Sequence, residues 1–405
     1  MHMAMRTAVK PKQDRRSVTI LGSTGSVGAN TVELIEHYSS AFDVVAITAN
    51  RNVELLARQA RKLGARRAVV ADPAGYRALK EALAGSGIEV AAGADAIIDA
   101  ASLPSDWVMA AIVGAAGLAP TMAAIRRGAV VGLANKECLV CAGDLMMAEI
   151  TRCGAKLVPV DSEHSAIYQV FDFDHADKVE QIILTASGGP FRSFTRDQMV
   201  GVTPAQAVAH PNWDMGAKIS VDSATMMNKG LELIEAYHLF PVEAGQIEIV
   251  VHPQSVIHSL VSYVDGSILA QLGLPDMKTP IAYALGWPDR LGVPAARLRL
   301  TEIAQLTFEA PDEVRFPALR LAREALTARG SAPIVLNAAN EVAVAGFLSG
   351  AIGFLDIPAV VEATLESVPV QPVADLDDVV HIDGEARRAA NEHMAAPRPA
   401  SARCA

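Results

Sequence analysis

Three carboxylate side chains lie in two short motifs that could together bind a metal ion. Asp161 and Glu163 flank a serine in the motif DSE, and Glu232 ends the motif NKGLE. Hard divalent cations such as Mg²⁺ and Mn²⁺ prefer oxygen ligands, so three carboxylates with water and substrate oxygens could complete an octahedron. Each acid taken alone could instead cap a helix at the surface. Taken together, the acids indicate a metal-assisted reaction.

Polar donors near these acids could bind one phosphate group. Ser187 opens the motif SGGP, Ser223 follows, and Asn228 and Lys229 begin the motif that ends in Glu232. Hydroxyl, amide and ammonium donors without a surrounding cluster of basic residues are suited to binding a single phosphate group rather than a nucleic-acid polymer. A simple turn would also explain the SGGP motif. The net charge of −10 argues against nucleic-acid binding, which requires a basic surface.

A long polar segment, residues 186–217, is rich in Gly, Pro, Ser and Thr and carries His210 and Trp213. A histidine and an apolar indole on a long loop could close over a substrate and exclude water. The tryptophan could equally anchor the loop to its own domain. The segment therefore predicts either a lid or an ordinary loop.

A glycine-rich turn near the start of the chain indicates a nucleotide site. Gly22, Gly25 and Gly28 follow an apolar run at residues 18–21 and open a helical pattern at residues 29–36. Such a turn lets backbone amides face a pyrophosphate at a helix N-terminus, although glycine-rich turns without a ligand are common. The region about twenty positions on carries Arg51 and no carboxylate, which favours NADP(H) over NAD(H). Arg51 alone could also be a solvated surface residue.

The four cysteines are Cys138, Cys141, Cys153 and Cys404, too few and too irregular for a disulfide framework, which fits a reducing cytosol. The CxxC spacing could form half a zinc site or a redox dithiol, but its apolar setting favours buried thiols. Two rival functions remain open at this point. One is a thiol-dependent aldehyde dehydrogenase, which would need an activated cysteine beside a histidine. The other is an NADP-sensing regulator without a metal site.

The first part of the chain alternates strand and helix patterns, which predicts a mainly parallel sheet with helices. Ligands of such sheets lie beyond the carboxyl ends of the strands, so we expect Asp161 and Lys136 at the functional edge. The predicted strands are residues 18–21, 44–48, 68–71, 108–113, 130–133 and 156–160, with helices at 52–63 and 75–83.

The second part of the chain predicts an α+β domain followed by a small helical bundle. Its predicted elements are a helix through residues 167–170, strands at 181–185, 247–251 and 267–271, and helices at 316–329, 338–348 and 358–367. The fold class is therefore α/β, with an N-terminal Rossmann-like domain, a central α+β domain and a C-terminal helical bundle.

The sequence also predicts the boundaries of these domains. The predicted divisions are a disordered leader at 1–16, an NADPH-binding domain at 17–162, a catalytic domain at 163–286, a linker at 287–310, a helical domain at 311–392 and a disordered tail at 393–405.

Neither a signal peptide nor a membrane anchor is predicted. The first 16 residues contain no apolar segment, and the uncharged stretch at residues 107–125 is rich in alanine and glycine. We expect that stretch to form a buried strand, turn and helix. A cytoplasmic protein without a membrane or nucleic-acid partner is the resulting expectation.

Eight motifs between about residues 17 and 390 resemble, in order, those of the 1-deoxy-D-xylulose 5-phosphate reductoisomerase family. They are GSTGS at 22–26, ANKE at 134–137, DSEH at 161–164, ASGGPF at 186–191, HPNW at 210–213, NKGLE at 228–232, HPQS at 252–255 and NAANE at 337–341. The resemblance implies conversion of 1-deoxy-D-xylulose 5-phosphate to 2-C-methyl-D-erythritol 4-phosphate in the non-mevalonate isoprenoid pathway. It also implies NADPH, Mg²⁺ or Mn²⁺ (or Co²⁺) as cofactors, and a homodimer.

The resemblance also assigns roles to individual residues. It implies metal ligands at Asp161, Glu163 and Glu232, and catalytic roles for Lys136, Glu163 and His210. Asn50 and Asp214 depart from the family pattern, which bears on cofactor affinity and lid behaviour. Substrate contacts are implied for Lys136, Ser162, Glu163, Ser187, His210, Trp213, Ser223, Asn228, Lys229 and Glu232. Cofactor contacts are implied for Thr24, Gly25, Ser26, Val27, Asn50, Arg51, Asn52, Asn135, Glu137 and Gly216.

The expected mechanism begins with chelation of the substrate keto and hydroxyl oxygens by the metal, which polarises the carbonyl. The carbon skeleton then rearranges, either by retro-aldol cleavage and re-addition or by an α-ketol shift, and NADPH reduces the aldehyde. We expect Lys136 and Glu163 to stabilise charge and move protons. Binding of the phosphate would hold the substrate during these steps.

Overall fold

The computed structural model describes residues 15–209 and 216–395 and contains a seven-stranded parallel sheet at its N-terminal end. The strand order is β4-β3-β2-β1-β5-β6-β7. Strands β2 to β4 are therefore added on one side of β1 and strands β5 to β7 on the other, as in dinucleotide-binding folds. Its strands are β1 (Arg16–Leu21), β2 (Phe42–Ala49), β3 (Arg67–Val70), β4 (Glu89–Ala92), β5 (Trp107–Ala110), β6 (Val130–Leu133) and β7 (Lys156–Pro159).

Helices connect these strands and cover both faces of the sheet. They are α1 (Ser26–His37), α2 (Val53–Leu63), α3 (Tyr76–Ala82), α4 (Ala94–Ser102), α5 (Leu118–Arg126) and α6 (Glu137–Cys153). Residues 107–126 form strand β5, a 3-10 turn and helix α5, which confirms the expected buried strand, turn and helix. No helix in the described ranges has both the length and the apolar character needed to cross a membrane.

Three of the sequence expectations about this sheet were wrong in detail. The strand predicted at residues 108–113 ends at Ala110, because the chain turns away at the sheet edge and Gly114 adopts a φ of 72°. Strand β4 was not predicted, since its sequence EVAA has weak strand character. Arg16 was assigned to the leader but begins β1, where it pairs with Phe42.

A second, four-stranded sheet has the order β11-β10-β8-β9, with only the β8–β9 pair parallel. The predicted strand at residues 247–251 is confirmed, whereas β10 was not predicted. The strands are β8 (Val179–Ala186), β9 (Ile247–Val251), β10 (Ile257–Tyr263) and β11 (Ile268–Leu272). The associated helices are α7 (Ser162–Val170), α8 (Arg196–Met199), α9 (Pro204–Ala207), α10 (Ala217–Ala224), α11 (Met227–Leu239), α12 (Lys278–Gly286) and α13 (Leu300–Ile303).

The C-terminal part is helical, as expected. Helix α15 begins six residues before its predicted start, since Pro333 lies in the first turn, where proline is tolerated. The last helix includes residues 393–395, which the sequence had assigned to the tail. The four helices are α14 (Ala318–Ala328), α15 (Ala332–Leu348), α16 (Asp356–Ser367) and α17 (Leu376–Ala395).

Two large apolar cores position the elements that carry the site. One joins strands β5 and β6 to β8, α6, α11 and the C-terminal helices. The other lies on the opposite face of the first sheet and includes Ile281 and Leu285 of α12. Trp107 Nε1 donates a hydrogen bond to the Ala284 carbonyl at 3.0 Å. Helix α12 therefore packs on the N-terminal sheet although it follows the second sheet in sequence.

Candidate active site

Asp161, Glu163 and Glu232 lie together at the junction of the two sheets. Asp161 follows β7 and caps α7, where its carboxylate accepts a hydrogen bond from the Glu163 amide at 3.3 Å. The turn into α7 brings the first two carboxylates to one side, and α11 supplies the third. One oxygen from each of the three side chains lies within 4.8 Å of the others. Ser162, between Asp161 and Glu163, is the first residue of α7.

Two buried lysines pair with these carboxylates. Lys136 Nζ lies 2.7 Å from Asp161 Oδ2 and 3.5 Å from Glu235 Oε2. Lys229 Nζ lies 2.9 Å from Glu163 Oε1 and also pairs with Glu232. Four carboxyl groups thus face two ammonium groups, so the cluster would carry an excess of two negative charges with all four carboxyl groups ionised. Such an excess matches the charge of one divalent cation.

Burial strengthens these interactions and shifts the pKa values in opposite directions. Burial, followed by repulsion from Glu163, holds the pKa of Glu232 well above its ordinary range. For Asp161, burial acts to raise the pKa, but the neighbouring charge of Lys136 outweighs it and the pKa is lowered. Burial opposes the charge on Lys229, yet Glu163 and Glu232 raise the pKa of Lys229 to about 12. The lysines therefore remain cationic donors.

The expected phosphate donors line the same cavity of about 250 Å³. These residues are Ser187, Ser223, Asn228 and Lys229. The turn after Ser187 is compact, because its hydroxyl accepts a hydrogen bond from the Gly189 amide at 3.2 Å. Asn228 lies one helical turn before Glu232 and donates to its carboxylate, so the two side chains share a face of α11. The structure thus places hydroxyl, amide and ammonium groups beside the carboxylate cluster.

The glycine-rich turn forms the other side of this cavity. Gly22 has a φ of 84°, and a Cβ on Gly28 would lie 2.1 Å from the Gly22 carbonyl oxygen, so helix α1 approaches the turn as only glycine allows. Ser26 and Val27 line the cavity, whereas Thr24 and Gly25 precede them in the turn and are absent from its lining. The start of α1 therefore faces the carboxylate cluster.

The remaining cofactor candidates, apart from Gly216, lie outside the cavity lining. Arg51, 80% exposed, follows β2 and pairs with Asp72 Oδ2 at 3.1 Å, while Asn50 adjoins it. Asn52 caps α2 through the Leu55 amide. The Asn135 amide donates to the backbone carbonyls of Ile112 and Gly114, so this side chain fixes the loop after β5. Two further candidates differ in position: Glu137 begins α6 and is buried, whereas Gly216 precedes α10 and does line the cavity.

Four residues named individually in the sequence analysis lie outside the described ranges. They are His210, Trp213, Asp214 and Cys404. The described part of the expected lid includes the short helices α8 (Arg196–Met199) and α9 (Pro204–Ala207), both of which precede His210.

Comparisons with known proteins identify the family. The model described as 1-deoxy-D-xylulose 5-phosphate reductoisomerase matches residues 18–143, and the model of its C-terminal domain matches residues 157–240. A third model, DXP reductoisomerase C-terminal domain, matches residues 272–389. A 1-deoxy-D-xylulose 5-phosphate reductoisomerase of Rhodospirillum centenum is 66% identical over 383 residues, 95% of each chain. The chain belongs to the 1-deoxy-D-xylulose 5-phosphate reductoisomerase family.

Solved structures of the 1-deoxy-D-xylulose 5-phosphate reductoisomerase family share the fold. The enzyme from Zymomonas mobilis in complex with NADPH is 55% identical and superposes with a TM-score of 0.91, covering 95% of this chain and 100% of that one. A DOX-P reductoisomerase in complex with NADPH, fosmidomycin and magnesium is 42% identical, with a TM-score of 0.90 and coverage of 94% and 98%. The expected fold class and family are thereby confirmed.

Several residues at this site or beside the proposed cofactor contacts were not identified from the sequence. Glu235 is buried beside Lys136, and only its position three residues after Glu232 on α11 could have indicated it. Ser255 and His258 line the cavity from the loop after β9 and from β10. The HPQS motif signalled the first, but β10 was not predicted. Asp72 was missed because it follows a different strand from Arg51.

The three cysteines in the described ranges do not support a thiol nucleophile. Cys138 and Cys141 are buried in α6, and Cys153 is half-buried at its end. Burial raises the pKa of Cys138 to about 12 and also raises that of Cys141 well above its ordinary value. Thiols in such surroundings are poor nucleophiles at neutral pH. This observation argues against the aldehyde dehydrogenase alternative, and the carboxylate cluster argues against a regulator without a metal site.

Proposed function

We propose that this chain catalyses the NADPH- and divalent-metal-dependent conversion of 1-deoxy-D-xylulose 5-phosphate to 2-C-methyl-D-erythritol 4-phosphate, an isoprenoid precursor. One observation carries the proposal: Asp161, Glu163 and Glu232 meet in a cavity that also receives the phosphate donors and the glycine-rich turn. An NADP-dependent oxidoreductase that also rearranges a phosphorylated sugar needs all three features. Family membership and the titles of the related complexes support the same activity.

The carboxylate cluster fits a divalent cation. Asp161, Glu163 and Glu232 offer three converging oxygens, and the cluster holds four carboxyl groups against two ammonium groups. We assign Mg²⁺ or Mn²⁺ to these ligands, with Co²⁺ as a further candidate. The ion supplies Lewis acidity that polarises the substrate carbonyl, and NADPH supplies the hydride.

The protein side chains hold the substrate and handle its protons. Ser187, Ser223, Asn228 and Lys229 are the proposed phosphate ligands, which fix one end of the sugar. Lys136 and Glu163 are placed to stabilise charge and move protons as the carbon skeleton rearranges by either the retro-aldol or the α-ketol route. Both groups border the cavity, Lys136 in an ion pair with Asp161 and Glu163 in an ion pair with Lys229. Ser162 lies between two metal ligands and faces the same space.

The proposed cofactor contacts follow the first sheet and the elements beside it. They are Thr24, Gly25, Ser26, Val27, Asn50, Arg51, Asn52, Asn135, Glu137 and Gly216. We propose that the turn at Thr24 to Val27 binds the pyrophosphate and that Arg51 pairs with the 2′-phosphate of NADPH. The exposed position of Arg51 supports this role. We also assign His210 and Trp213 to the substrate side, with residues 186–217 as a lid, on the basis of the family resemblance.

The division into domains, the cellular compartment and the oligomeric state are also proposals. We propose that residues 17–162 form the NADPH-binding domain, 163–286 the catalytic domain and 311–392 the helical domain, joined by a linker at 287–310. We further propose a cytoplasmic homodimer. Strand β11, an edge strand within the described part of the chain, carries exposed Ile268 and Leu269 and supports pairing with a second copy.

The direct test of the reaction measures NADPH oxidation with 1-deoxy-D-xylulose 5-phosphate in the presence and absence of Mg²⁺ or Mn²⁺. We expect turnover only with substrate and metal together. Oxidation that needs no metal, or none with this substrate, would contradict the proposal. NADH in place of NADPH tests the predicted cofactor preference in the same assay.

The metal site is tested by the substitution Glu232→Gln. Because this change removes one anionic ligand and leaves the glycine-rich turn intact, turnover should fall by about two orders of magnitude or more while NADPH affinity stays unchanged. Glu149→Gln, which alters a carboxylate paired with Arg126 and Arg152 on the surface, is the matched control. Turnover of Glu232→Gln equal to that of the wild type would refute the assignment.

A further inference from the structure

The NAANE motif at residues 337–341 lies in the C-terminal helical part, and none of its residues belongs to the proposed metal, substrate or cofactor contacts. Its fourth residue, Asn340, is completely buried on α15. The Asn340 side-chain amide donates a hydrogen bond to Asp222 Oδ1 at 2.8 Å. Asp222 is itself 1% exposed and belongs to α10. A buried amide therefore ties the helical domain to a helix at the edge of the active site.

Asp222 also connects α10 to the start of α6. Lys218, one helical turn earlier on α10, has its Nζ 2.8 Å from Asp222 Oδ2 and 3.9 Å from Glu137 Oε1. Glu137 directly follows Lys136 in sequence. The chain of contacts from Asn340 through Asp222 and Lys218 to Glu137 thus joins the helical domain, α10 and the N-terminal domain. A buried carboxylate needs such partners because its desolvation is costly.

The position of α10 determines where the two phosphate-side serines lie. Ser223 is the next residue after Asp222 and lines the cavity. The turn that carries Ser187 packs directly on the end of this helix: a Cβ on Gly189 would lie 2.8 Å from the Ser223 carbonyl oxygen and 3.0 Å from Ala224 Cα. A displacement of α10 would therefore move both serines together, while the carboxylates on α7 and α11 have their own supports.

We propose that Asn340 and Asp222 are positioning residues that hold α10, and through it Ser223 and the Ser187 turn, in the geometry that binds the substrate phosphate. This inference rests on the proposed function, since it needs the assignment of both serines to the phosphate. It gives the C-terminal helices a defined part in substrate binding although Asn340 does not line the cavity.

The test compares Asn340→Ala with the wild-type enzyme. Loss of the amide leaves the buried Asp222 carboxylate without one of its donors, so α10 should shift and the substrate KM should rise by about tenfold. The inhibition constant of inorganic phosphate, used as a competing anion, should rise by a similar factor. The dissociation constant of NADPH should rise by a smaller factor than the phosphate inhibition constant, because only Gly216 and Glu137 among the proposed cofactor contacts adjoin α10 or its ion pairs.

Asn337→Ala is the matched control. Asn337 lies three residues earlier on the same helix and is equally buried, but its amide donates within α15 to Glu341 at 3.3 Å and not to α10. This variant should lower the melting temperature without raising the substrate KM or the phosphate inhibition constant. A purely structural role for Asn340 would give the same pattern in Asn340→Ala, and that result would overturn the proposal.

A second variant covers the case in which Asn340→Ala does not fold. Lys218→Met removes the other partner of Asp222 from the more exposed side of α10, and the substrate KM should rise by about threefold, more than the dissociation constant of NADPH. A wild-type KM in this variant would count against the proposal. Absence of turnover in the wild-type enzyme would instead reject the proposed function, so the two failures are distinguishable.

Discussion

The charges at the site show which members of the candidate site can be predicted from sequence. Asp161, Glu163 and Glu232, which the structure brings together, were predicted because their motifs concentrate chemically specific residue types in a few positions. Glu235 was not, because an acid three residues after another on a helix usually faces solvent. Its burial beside Lys136 depends on the packing of α11 against α6, which is a tertiary contact. Long-range packing therefore limited the prediction of this residue.

Arg51 provides a residue-scale test of cofactor choice. In Arg51→Gln, the KM for NADPH should rise by about tenfold, since a charge-assisted hydrogen bond to a phosphate is worth about 1.5–3 kcal/mol. The KM for NADH should stay the same, because NADH lacks the 2′-phosphate. Steady-state kinetics with both cofactors makes the comparison.

The control for that experiment is Arg58→Gln. Arg58 lies on α2, is also exposed and pairs with Glu54, so it matches Arg51 in charge and setting. A change in the NADPH KM that is equal in both variants would show a general electrostatic effect and would count against a specific contact at Arg51.

The buried thiols give a second residue-scale prediction. Because burial raises the pKa of Cys138 to about 12, only about one molecule in ten thousand carries its thiolate at pH 8. Iodoacetamide should therefore leave Cys138 and Cys141 unmodified in the native enzyme, and NADPH oxidation should be retained. Mass spectrometry of tryptic peptides measures the modification. The denatured protein, in which all four cysteines should react, is the control, and rapid inactivation with labelling of Cys138 would contradict this assignment.

At the scale of elements, the sequence predicted those with a distinct pattern. Strand β9 and strand β6 agree residue for residue with their predicted bounds, because each is a short β-branched or apolar run between polar residues. Strand β10 lacks such a pattern: His258, Ser259 and Ser262 are buried within it and interrupt the apolar alternation. Their polar groups are accommodated by the surrounding sheet and cavity, which local sequence does not reveal.

The Gly189 turn provides an element-scale prediction. Gly189→Ala places a methyl group against the backbone of α10 in a residue with a φ of 67°, so the variant should lose roughly 2 kcal/mol of unfolding free energy or more. The substrate KM should rise as well, since the strained turn carries Ser187. Chemical denaturation and steady-state kinetics measure the two effects. Gly201→Ala, at an open position in the same segment, is the control, and equal behaviour of both variants would contradict the close packing.

At the scale of the whole molecule, the site is assembled from parts that are distant in sequence. The N-terminal sheet supplies Lys136 and Asp161, α11 supplies Glu232, and the C-terminal helices support α11 through a shared apolar core. The composition and the strand–helix alternation predicted the number and class of these units. Their mutual arrangement was not predictable, because α12 returns to the first sheet after the second sheet is complete. The catalytic geometry therefore depends on contacts between the units.

The proposed homodimer is a property of this scale, and β11 offers the surface to test it. Within the described part of the chain, β11 pairs only with β10 and leaves its other edge open. Ile268 is 56% exposed and Leu272 is 36% exposed, so they form an apolar edge that a second copy would cover.

The double change Ile268→Lys and Leu272→Lys should weaken dimerisation by at least about tenfold. The lysines of the two copies would repel one another, and the apolar surface that the dimer buries would be lost. Sedimentation velocity over a concentration series measures the equilibrium. Val380→Lys, an equally exposed position on α17, should leave it unchanged. If the double variant sediments as the same dimer as the wild type, the second copy binds elsewhere.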